Sequence, residues 1–183
     1  MKKRVFISMI LSVVALAVSR PDSGAFYWAG AALMLLGQLI RLAASAAIVK
    51  SKTLTMRGPY AVVRNPLYLG TLVMTGGMML AMTSTAKPAL TAALWLGVGA
   101  AFAWIYWVTI KAEEAFLRST YGQAFEDYCR AVPAILACPC KFGSFFETEA
   151  YSREVFIKNK EWRGLSGLAA ILVILYLKLH YGY

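Results

Sequence analysis

Long apolar stretches, separated by shorter polar segments, form the main pattern along this chain. Five of them follow one another: Val5–Ser19, Phe26–Val49, Pro66–Met82, Pro88–Ile110 and Gly164–Leu179. A helix needs about 20 residues to cross a hydrocarbon core of about 30 Å, and Tyr, Trp and Lys residues at the interface can extend the shorter stretches. The pattern predicts an all-α, polytopic membrane helical bundle with about five transmembrane helices.

The composition of the chain agrees with a membrane domain. Of its 183 residues, 60% are hydrophobic, whereas soluble domains contain roughly 45–50% apolar residues. A chain of this length cannot bury that excess in its own core, so part of it faces lipid. We expect a single membrane domain over residues 1–183. Ala15-Leu16-Ala17 resembles a signal-peptide cleavage site, but we expect the first stretch to remain as a transmembrane helix.

The distribution of positive charge predicts an orientation. The formal net charge is +10, and membrane proteins collect Lys and Arg on their cytoplasmic loops. With a cytoplasmic N-terminus, fifteen Lys and Arg residues lie inside and three lie outside. We therefore expect a multi-pass protein with its C-terminus on the outer side and two cytoplasmic segments, Lys50–Asn65 and Lys111–Arg163. We expect no nucleic-acid partner, because no basic stripe with interleaved aromatics lies outside the apolar stretches.

The three cysteines lie in the second of these segments, at Cys129, Cys138 and Cys140. Cys138-Pro139-Cys140 could form half of a metal site, but no second group of Cys and His completes it. The single histidine, His180, lies near the other end of the chain. We predict no metal site and interpret the cysteines as incidental thiols that stay reduced in the cytoplasm.

Two polar stretches contain most of the candidate binding and catalytic residues. The first runs from Arg57 to Gly70, and the second places the adjacent acids Glu113 and Glu114 directly after the fourth apolar stretch. One interpretation is structural, with a polar turn, interfacial anchors and a solvated helix start. The other is a binding site, because a carboxylate beside a membrane span is costly unless it is solvated or paired.

In their order, these motifs resemble the isoprenylcysteine carboxyl methyltransferase and phospholipid methyltransferase family of integral membrane methyltransferases. The resemblance covers about residues 52–133, and residues 164–180 form an additional transmembrane helix. Each motif alone is weak, but the combination is specific. The matching motifs are Gly58-Pro59-Tyr60, Arg64-Asn65-Pro66-Leu67-Tyr68-Leu69-Gly70, Glu113-Glu114-Ala115-Phe116-Leu117, Tyr121-Gly122, Tyr128 and Val132-Pro133.

The resemblance implies an enzyme that uses S-adenosylmethionine to methylate an amphiphilic, lipid-like acceptor that comes from the bilayer, at a site on the cytoplasmic face. A carboxylate such as Glu113 suits the ammonium or the ribose diol of this cofactor, and tyrosine faces suit its sulfonium. We predict catalytic roles for Arg64, toward a substrate carboxylate, and for Glu114, as a base. The cofactor contacts that carry over are Lys52, Thr53, Leu54, Thr55, Tyr60, Asn65, Pro66, Leu67, Tyr68 and Glu113.

The sequence departs from the family pattern at three places. Asn65 stands where the family has a histidine, and Lys52–Thr55 replaces a His-x-Leu-Val segment. Thr109 occupies the position of an arginine that suits a substrate carboxylate in the isoprenylcysteine enzymes. The acceptor therefore stays open between an isoprenylcysteine-type carboxylate and a phospholipid amine. A non-catalytic membrane protein of the same fold, or a membrane reductase of related fold, is the alternative.

Arg41 lies inside the second apolar stretch, one helical turn from Gln38. An arginine at this depth meets a lipid head group or a substrate anion, or it extends toward the cytoplasmic interface. The sequence leaves both interpretations open.

Overall fold

A computed structural model describes residues 2–49, 53–136 and 139–182. All regular structure in these residues is helical, so the all-α prediction is confirmed for this part of the chain. The α-helices are α1 (Lys2–Val18), α2 (Gly24–Ala47), α3 (Pro59–Val62), α4 (Pro66–Ala81), α5 (Pro88–Tyr121), α6 (Gln123–Ala131), α7 (Arg153–Asn159) and α8 (Gly164–Tyr181), and 3-10 turns cover Pro139–Phe146, Thr148–Ala150 and Glu161–Arg163.

Three helical regions are long and apolar enough to cross a membrane. They are Gly24–Ala47, Pro88–Tyr121 and Glu161–Tyr181, while the apolar helices Phe6–Val18 and Pro66–Ala81 are shorter. These are the helices of an integral membrane protein. Except for the C-terminal end of α5, the predicted helix positions agree with the structure to within a few residues, and the count of five crossings stays a prediction.

Helix α5 extends much further than its apolar stretch predicts. The sequence suggests an end near Ile110, but the helix continues to Tyr121 and contains 34 residues, a length of about 50 Å at 1.5 Å per residue. Gly122 follows with a φ of 51°, a conformation that glycine adopts without strain. Glu113 and Glu114 therefore lie on a continuous helix, where neighbouring side chains point about 100° apart.

The chain divides into two compact units. The first contains the residues up to Leu36, Leu72–Trp107 and those from Leu165 onward. Gly30 and Gly77 allow close backbone packing in it, because a Cβ atom on Gly30 would lie 2.4 Å from the Gly77 carbonyl oxygen. Its buried core consists of Ala15, Tyr27, Met34, Met78, Met79, Ala81, Met82, Val98, Phe102, Leu168 and Leu175.

Asp22 anchors a loop in this first unit. Its carboxylate accepts hydrogen bonds from the backbone N–H groups of Ala86 at 2.7 Å and Thr85 at 2.9 Å, and from the Ser84 hydroxyl at 2.8 Å. These bonds favour the ionised carboxylate and lower the pKa of Asp22 to about 2.

The second unit contains Gly37–Thr71 and Val108–Gly164, and therefore most of the two predicted cytoplasmic segments. It has two small apolar clusters of its own. One consists of Ala44, Ala47 and Tyr60, with Ile48, Leu67 and Tyr151 packed against it. The other consists of Phe125, Tyr128 and Val132, with Leu54, Leu117, Tyr121 and Cys129 packed against it.

Candidate functional site

Arg64 and Glu114 form a largely buried ion pair in the second unit. The guanidinium donates from Nη2 at 2.9 Å and from Nε at 3.2 Å to the same carboxylate oxygen of Glu114. Its Nη1 also donates to the carbonyl oxygens of Cys129 at 2.9 Å and Val132 at 2.6 Å, at the C-terminal end of α6. Both side chains are 12% exposed. Arg64 thus connects the loop before α4 to both α5 and α6.

Glu113 has a different partner and a different environment. Its Oε2 accepts a 2.6 Å hydrogen bond from the hydroxyl of Tyr68, a residue in the first turns of α4. Glu113 is exposed, so its carboxylate stays accessible. Because the two acids are neighbours on one helix, α5 presents Glu114 to Arg64 and Glu113 to Tyr68.

Tyr60 is buried within electrostatic reach of the Tyr68–Glu113 pair. The residue is 6% exposed, and its hydroxyl makes no hydrogen bond within the described residues. Its carbonyl oxygen accepts a 2.6 Å bond from the Tyr128 hydroxyl. Burial raises the pKa of the Tyr60 phenol, and the negative charges of Glu113 and Glu161 raise it further. A protonated, unpaired hydroxyl therefore lies within the electrostatic reach of two carboxylates.

Four further predicted cofactor contacts precede α3 along the chain. Lys52 falls outside the described residues. Thr53 is exposed and Thr55 is half-buried, while Leu54 packs against the Phe125–Tyr128–Val132 cluster. Leu54 therefore lies beside α6 in the second unit.

The residues at the start of α4 make contacts with several segments of the second unit. Asn65 donates to the carbonyl oxygen of Ala134 from its backbone N–H at 3.2 Å and from its side chain at 3.1 Å. Pro66 is fully buried at the first position of the helix. Leu67 packs against Tyr60 and its alanine neighbours. Asn65 and Leu67 thus support the backbone that presents Tyr68 to Glu113.

A second polar group involves Arg41, and the sequence did not reveal its partner. The Arg41 Nη2 lies 2.5 Å from Oε2 of Glu161, which precedes α8. Nη1 donates to the hydroxyl of Thr71 and, at 3.4 Å, to the carbonyl oxygen of Leu67. Gln38 donates to the backbone carbonyl of Glu161 at 3.3 Å. Arg41 is therefore paired with a carboxylate of its own unit. In the sequence, the one indication of this partner is an acid just before the fifth apolar stretch.

Glu161 belongs to a segment that folds over the end of α2. The Asn159 side chain donates to the carbonyl oxygens of Ser45 at 2.8 Å and Ile48 at 3.1 Å, and the Ser152 N–H donates to Ala46 at 2.9 Å. These bonds satisfy the free carbonyl groups that every helix leaves at its C-terminus. The segment after α6 is thereby fixed against α2, and it places Glu161 beside Arg41.

The described residues contain no group of three or more His, Cys, Asp and Glu side chains that could hold a metal ion. Cys138 lies outside the described residues. Burial raises the pKa of the Cys129 thiol.

Two open clefts of about 430 and 560 Å³ lie in the second unit, one beside α6 and the other lined by Arg57 and residues 146–150. Neither cleft includes Tyr68 or Glu113.

The Tyr60–Tyr68–Glu113 group combines an exposed carboxylate, an unpaired hydroxyl and aromatic rings. Such a group can bind a ligand that carries positive charge and hydrogen-bond donors. The Arg64–Glu114 pair, in contrast, directs its hydrogen bonds toward the protein.

Comparison with known proteins identifies the family of the chain. The cobalt-zinc-cadmium resistance protein CzcN of Cupriavidus metallidurans is 32% identical over 140 residues, which cover 72% of this chain and 60% of that protein. The match thus spans less than two thirds of that relative. No solved structure matches the chain. A sequence model of the phospholipid methyltransferase family matches residues 25–124. This range extends from α2 through α5 and includes the Arg64–Glu114 and Tyr68–Glu113 pairs. The chain belongs to this family.

Proposed function

We propose that the protein is an S-adenosylmethionine-dependent methyltransferase that acts on an amphiphilic, lipid-like acceptor. The family supports methyl transfer in general. The observation that supports the cofactor most directly is the exposed Glu113 carboxylate, which accepts a hydrogen bond from Tyr68 and lies within electrostatic reach of buried Tyr60, whose hydroxyl is unpaired.

The residues of this group fit the chemistry of the cofactor. S-adenosylmethionine has a sulfonium and an ammonium, which are cations, and a ribose diol, which donates hydrogen bonds. Glu113 accepts such bonds, and a charge-assisted hydrogen bond is stronger than a neutral one. The rings of Tyr60 and Tyr68 offer faces that attract cations. The unpaired Tyr60 hydroxyl gains a partner when a polar ligand binds, which removes the cost of leaving it unsatisfied.

The bound cofactor supplies an electrophilic methyl group. The residues of the chain then bind and orient, and methyl transfer depends mainly on holding the acceptor in line with the methyl group. Tyr68 fixes the carboxylate of Glu113 by a 2.6 Å hydrogen bond. The Arg64–Glu114 pair holds α4, α5 and α6 together, so it positions Tyr68 and Glu113 relative to each other. On this account, Arg64 and Glu114 act as positioning residues.

Calorimetric titration of the purified, full-length protein with S-adenosylmethionine tests the proposal. We expect saturable binding of the cofactor and of its demethylated product. Binding of a nicotinamide cofactor in its place would favour a membrane reductase. A folded sample that binds neither cofactor at millimolar concentration would favour a non-catalytic protein of this fold.

We also propose an orientation, with the N-terminus in the cytoplasm and the C-terminus on the outer side. The charge distribution supports it. The structure adds that the segments Lys50–Asn65 and Lys111–Arg163 contact each other, through Arg64 with Glu114 and Tyr60 with Tyr128. Cysteines introduced at Arg57 and at Lys87 should label from opposite sides of the membrane. Labelling of both positions from the same side would contradict the orientation.

A further inference from the structure

Helix α7 and the turn after it are attached to two helical regions that can cross a membrane. The Ser152 N–H and the Asn159 side chain, at the two ends of α7, donate to carbonyl oxygens at the C-terminal end of α2. The 3-10 turn Glu161–Arg163 leads directly into α8. Both α2 and Glu161–Tyr181 are long and apolar enough to cross a membrane. Residues 153–163 are therefore held at the level where these regions leave the lipid.

This stretch exposes two large apolar side chains at that level. Asn159 turns one side of α7 toward α2, whereas Ile157 is 55% exposed. Trp162 is 46% exposed, and the Arg163 guanidinium lies 5.5 Å from the centre of its ring. A tryptophan with a neighbouring cation is typical of the boundary between lipid and water, and an exposed aliphatic side chain loses its contact with water when it enters that boundary.

The charge around these two side chains is positive. Within residues 153–163, all of which the structure describes, the exposed charged side chains are one acid and four bases, namely Glu154, Arg153, Lys158, Lys160 and Arg163. Glu154 can pair with Lys158, one turn further along α7, and Glu161 is paired with Arg41. Two acids before α7, Glu147 and Glu149, line a cleft together with Arg57, so these three charges leave one negative charge. The positive charge remains in excess over the region as a whole.

We propose that residues 153–163 form a surface that binds anionic phospholipids in the leaflet beside α7. The basic side chains attract the lipid phosphates, and Ile157 and Trp162 enter the layer between the head groups and the acyl chains. The attachment to α2 and α8 favours a lipid surface over an acidic protein. The proposal does not depend on methyl transfer, and the surface lies beyond residues 25–124, which match the family.

Lipid binding by the purified, full-length protein in detergent tests the role of charge. Dioctanoyl phosphatidylglycerol, which is anionic, is compared by calorimetry with dioctanoyl phosphatidylcholine, which is zwitterionic. We expect a preference for phosphatidylglycerol that decreases at high salt, because mobile ions screen exposed charges. Arg153→Gln/Lys160→Gln should lower this preference by roughly ten- to thirty-fold, the effect of two basic residues at an anionic surface.

The double variant Arg20→Gln/Lys87→Gln is the matched control. It removes the same charge from two exposed positions of the first unit. This variant should keep the preference of the unmodified protein. An equal loss of preference in both double variants would mean that net charge attracts the lipid without a dedicated surface, and it would contradict the proposal.

Fluorescence quenching in nanodiscs that contain phosphatidylglycerol tests contact with the membrane. Ile157→Trp adds a fluorophore whose emission is obtained by subtracting that of the unmodified protein. A nitroxide on the lipid head group should quench it strongly, and aqueous iodide should quench it weakly. Thr120→Trp, at an exposed position of α5 that lies about 15 Å along the helix from Ile110, should show the opposite pattern.

Three results would contradict the proposal. One is a preference for phosphatidylglycerol that is unchanged in Arg153→Gln/Lys160→Gln. Another is strong quenching of Ile157→Trp by iodide together with weak quenching by the lipid nitroxide. The third is tighter binding of polyglutamate than of phosphatidylglycerol by the unmodified protein, which would assign the surface to an acidic protein instead.

Discussion

Glu113 and Glu114 are consecutive residues on one helix, but their surroundings differ in almost every respect. Glu114 is 12% exposed and accepts two bonds from Arg64, whose remaining bonds go to carbonyl groups at the end of α6. Glu113 is exposed and accepts one bond from a tyrosine hydroxyl. A rotation of about 100° along the helix thus separates an internal ion pair from a carboxylate that is open to a ligand. We infer that Glu114 stabilises the fold and that Glu113 binds the cofactor.

The largest effect should come from Arg64→Met. The change removes the ion pair and both carbonyl contacts, and it leaves the Glu114 carboxylate largely buried without a cation. Breaking a buried pair in this way costs about 3–5 kcal/mol. Thermal unfolding in detergent should show a marked loss of stability, whereas Arg153→Met, at an exposed position, should show almost none. Equal unfolding temperatures for the two variants would mean that the Arg64–Glu114 pair does not hold the unit together.

Paired substitutions at the two acids test the comparison itself. Glu113→Gln should weaken S-adenosylmethionine binding by roughly ten- to a hundred-fold, the equivalent of about 1.5–3 kcal/mol for a charge-assisted bond, with little change in unfolding temperature. Glu114→Gln should lower stability more than Glu113→Gln does, and it should weaken cofactor binding less, because Glu114 acts on the site only by positioning Tyr68 and Glu113. The same small effect on affinity from both changes would mean that Glu113 is only a solvated residue.

A smaller effect is expected from Tyr68→Phe. The change keeps the ring and removes only the hydroxyl that fixes Glu113, and a neutral hydrogen bond contributes about 0.5–1.5 kcal/mol. Cofactor affinity, measured by calorimetry, should fall by up to about ten-fold. Tyr121→Phe, a half-buried tyrosine packed against the α6 cluster, is the control. A loss of affinity as large as that of Glu113→Gln would mean that Tyr68 contacts the ligand directly.

The smallest effects on methyl transfer are expected from substitutions that remove or introduce a histidine, because the reaction needs no histidine base. His180 stacks on Tyr176 in α8, which belongs to the first unit. His180→Ala should therefore leave methyl transfer unchanged. Asn65→His restores the residue that the family carries, so it should preserve or raise activity. Loss of methyl transfer in His180→Ala, with folding and cofactor binding intact, would contradict the assignment of the site to the second unit.

The fold was largely predictable because apolar stretches of this length have few alternatives to helices in a membrane. Helix α5 is the main exception in length. Its last eleven residues, beyond Ile110, are mostly polar, so hydropathy alone cannot show that the helix continues to Tyr121. The short helices α3, α6 and α7 were also not predicted, because they lie in polar segments where tertiary contacts such as Tyr128 with Tyr60 determine the structure.

The roles of the candidate site residues stay predictions, and the sequence did not indicate which of their side chains pair. Tyr68 and Glu113 are 45 positions apart, and Arg64 and Glu114 are 50 positions apart. Sequence alone could not assign each acid to its partner. Arg41 was recognised as unusual because it lies in an apolar stretch. Its partner Glu161 was not, because an acid in a polar segment has no distinguishing pattern until the chain folds over the end of α2.

Transfer of a labelled methyl group into lipid tests the central claim most directly. Membranes containing the unmodified protein, Glu113→Gln or the control Glu154→Gln are incubated with methyl-labelled S-adenosylmethionine at a concentration below saturation, and the lipids are then extracted. The account predicts label in the lipid fraction for the unmodified protein and for Glu154→Gln, and a loss of roughly ten-fold or more for Glu113→Gln at equal amounts of folded protein. Absence of label with the unmodified protein, or equal label with all three, would contradict it.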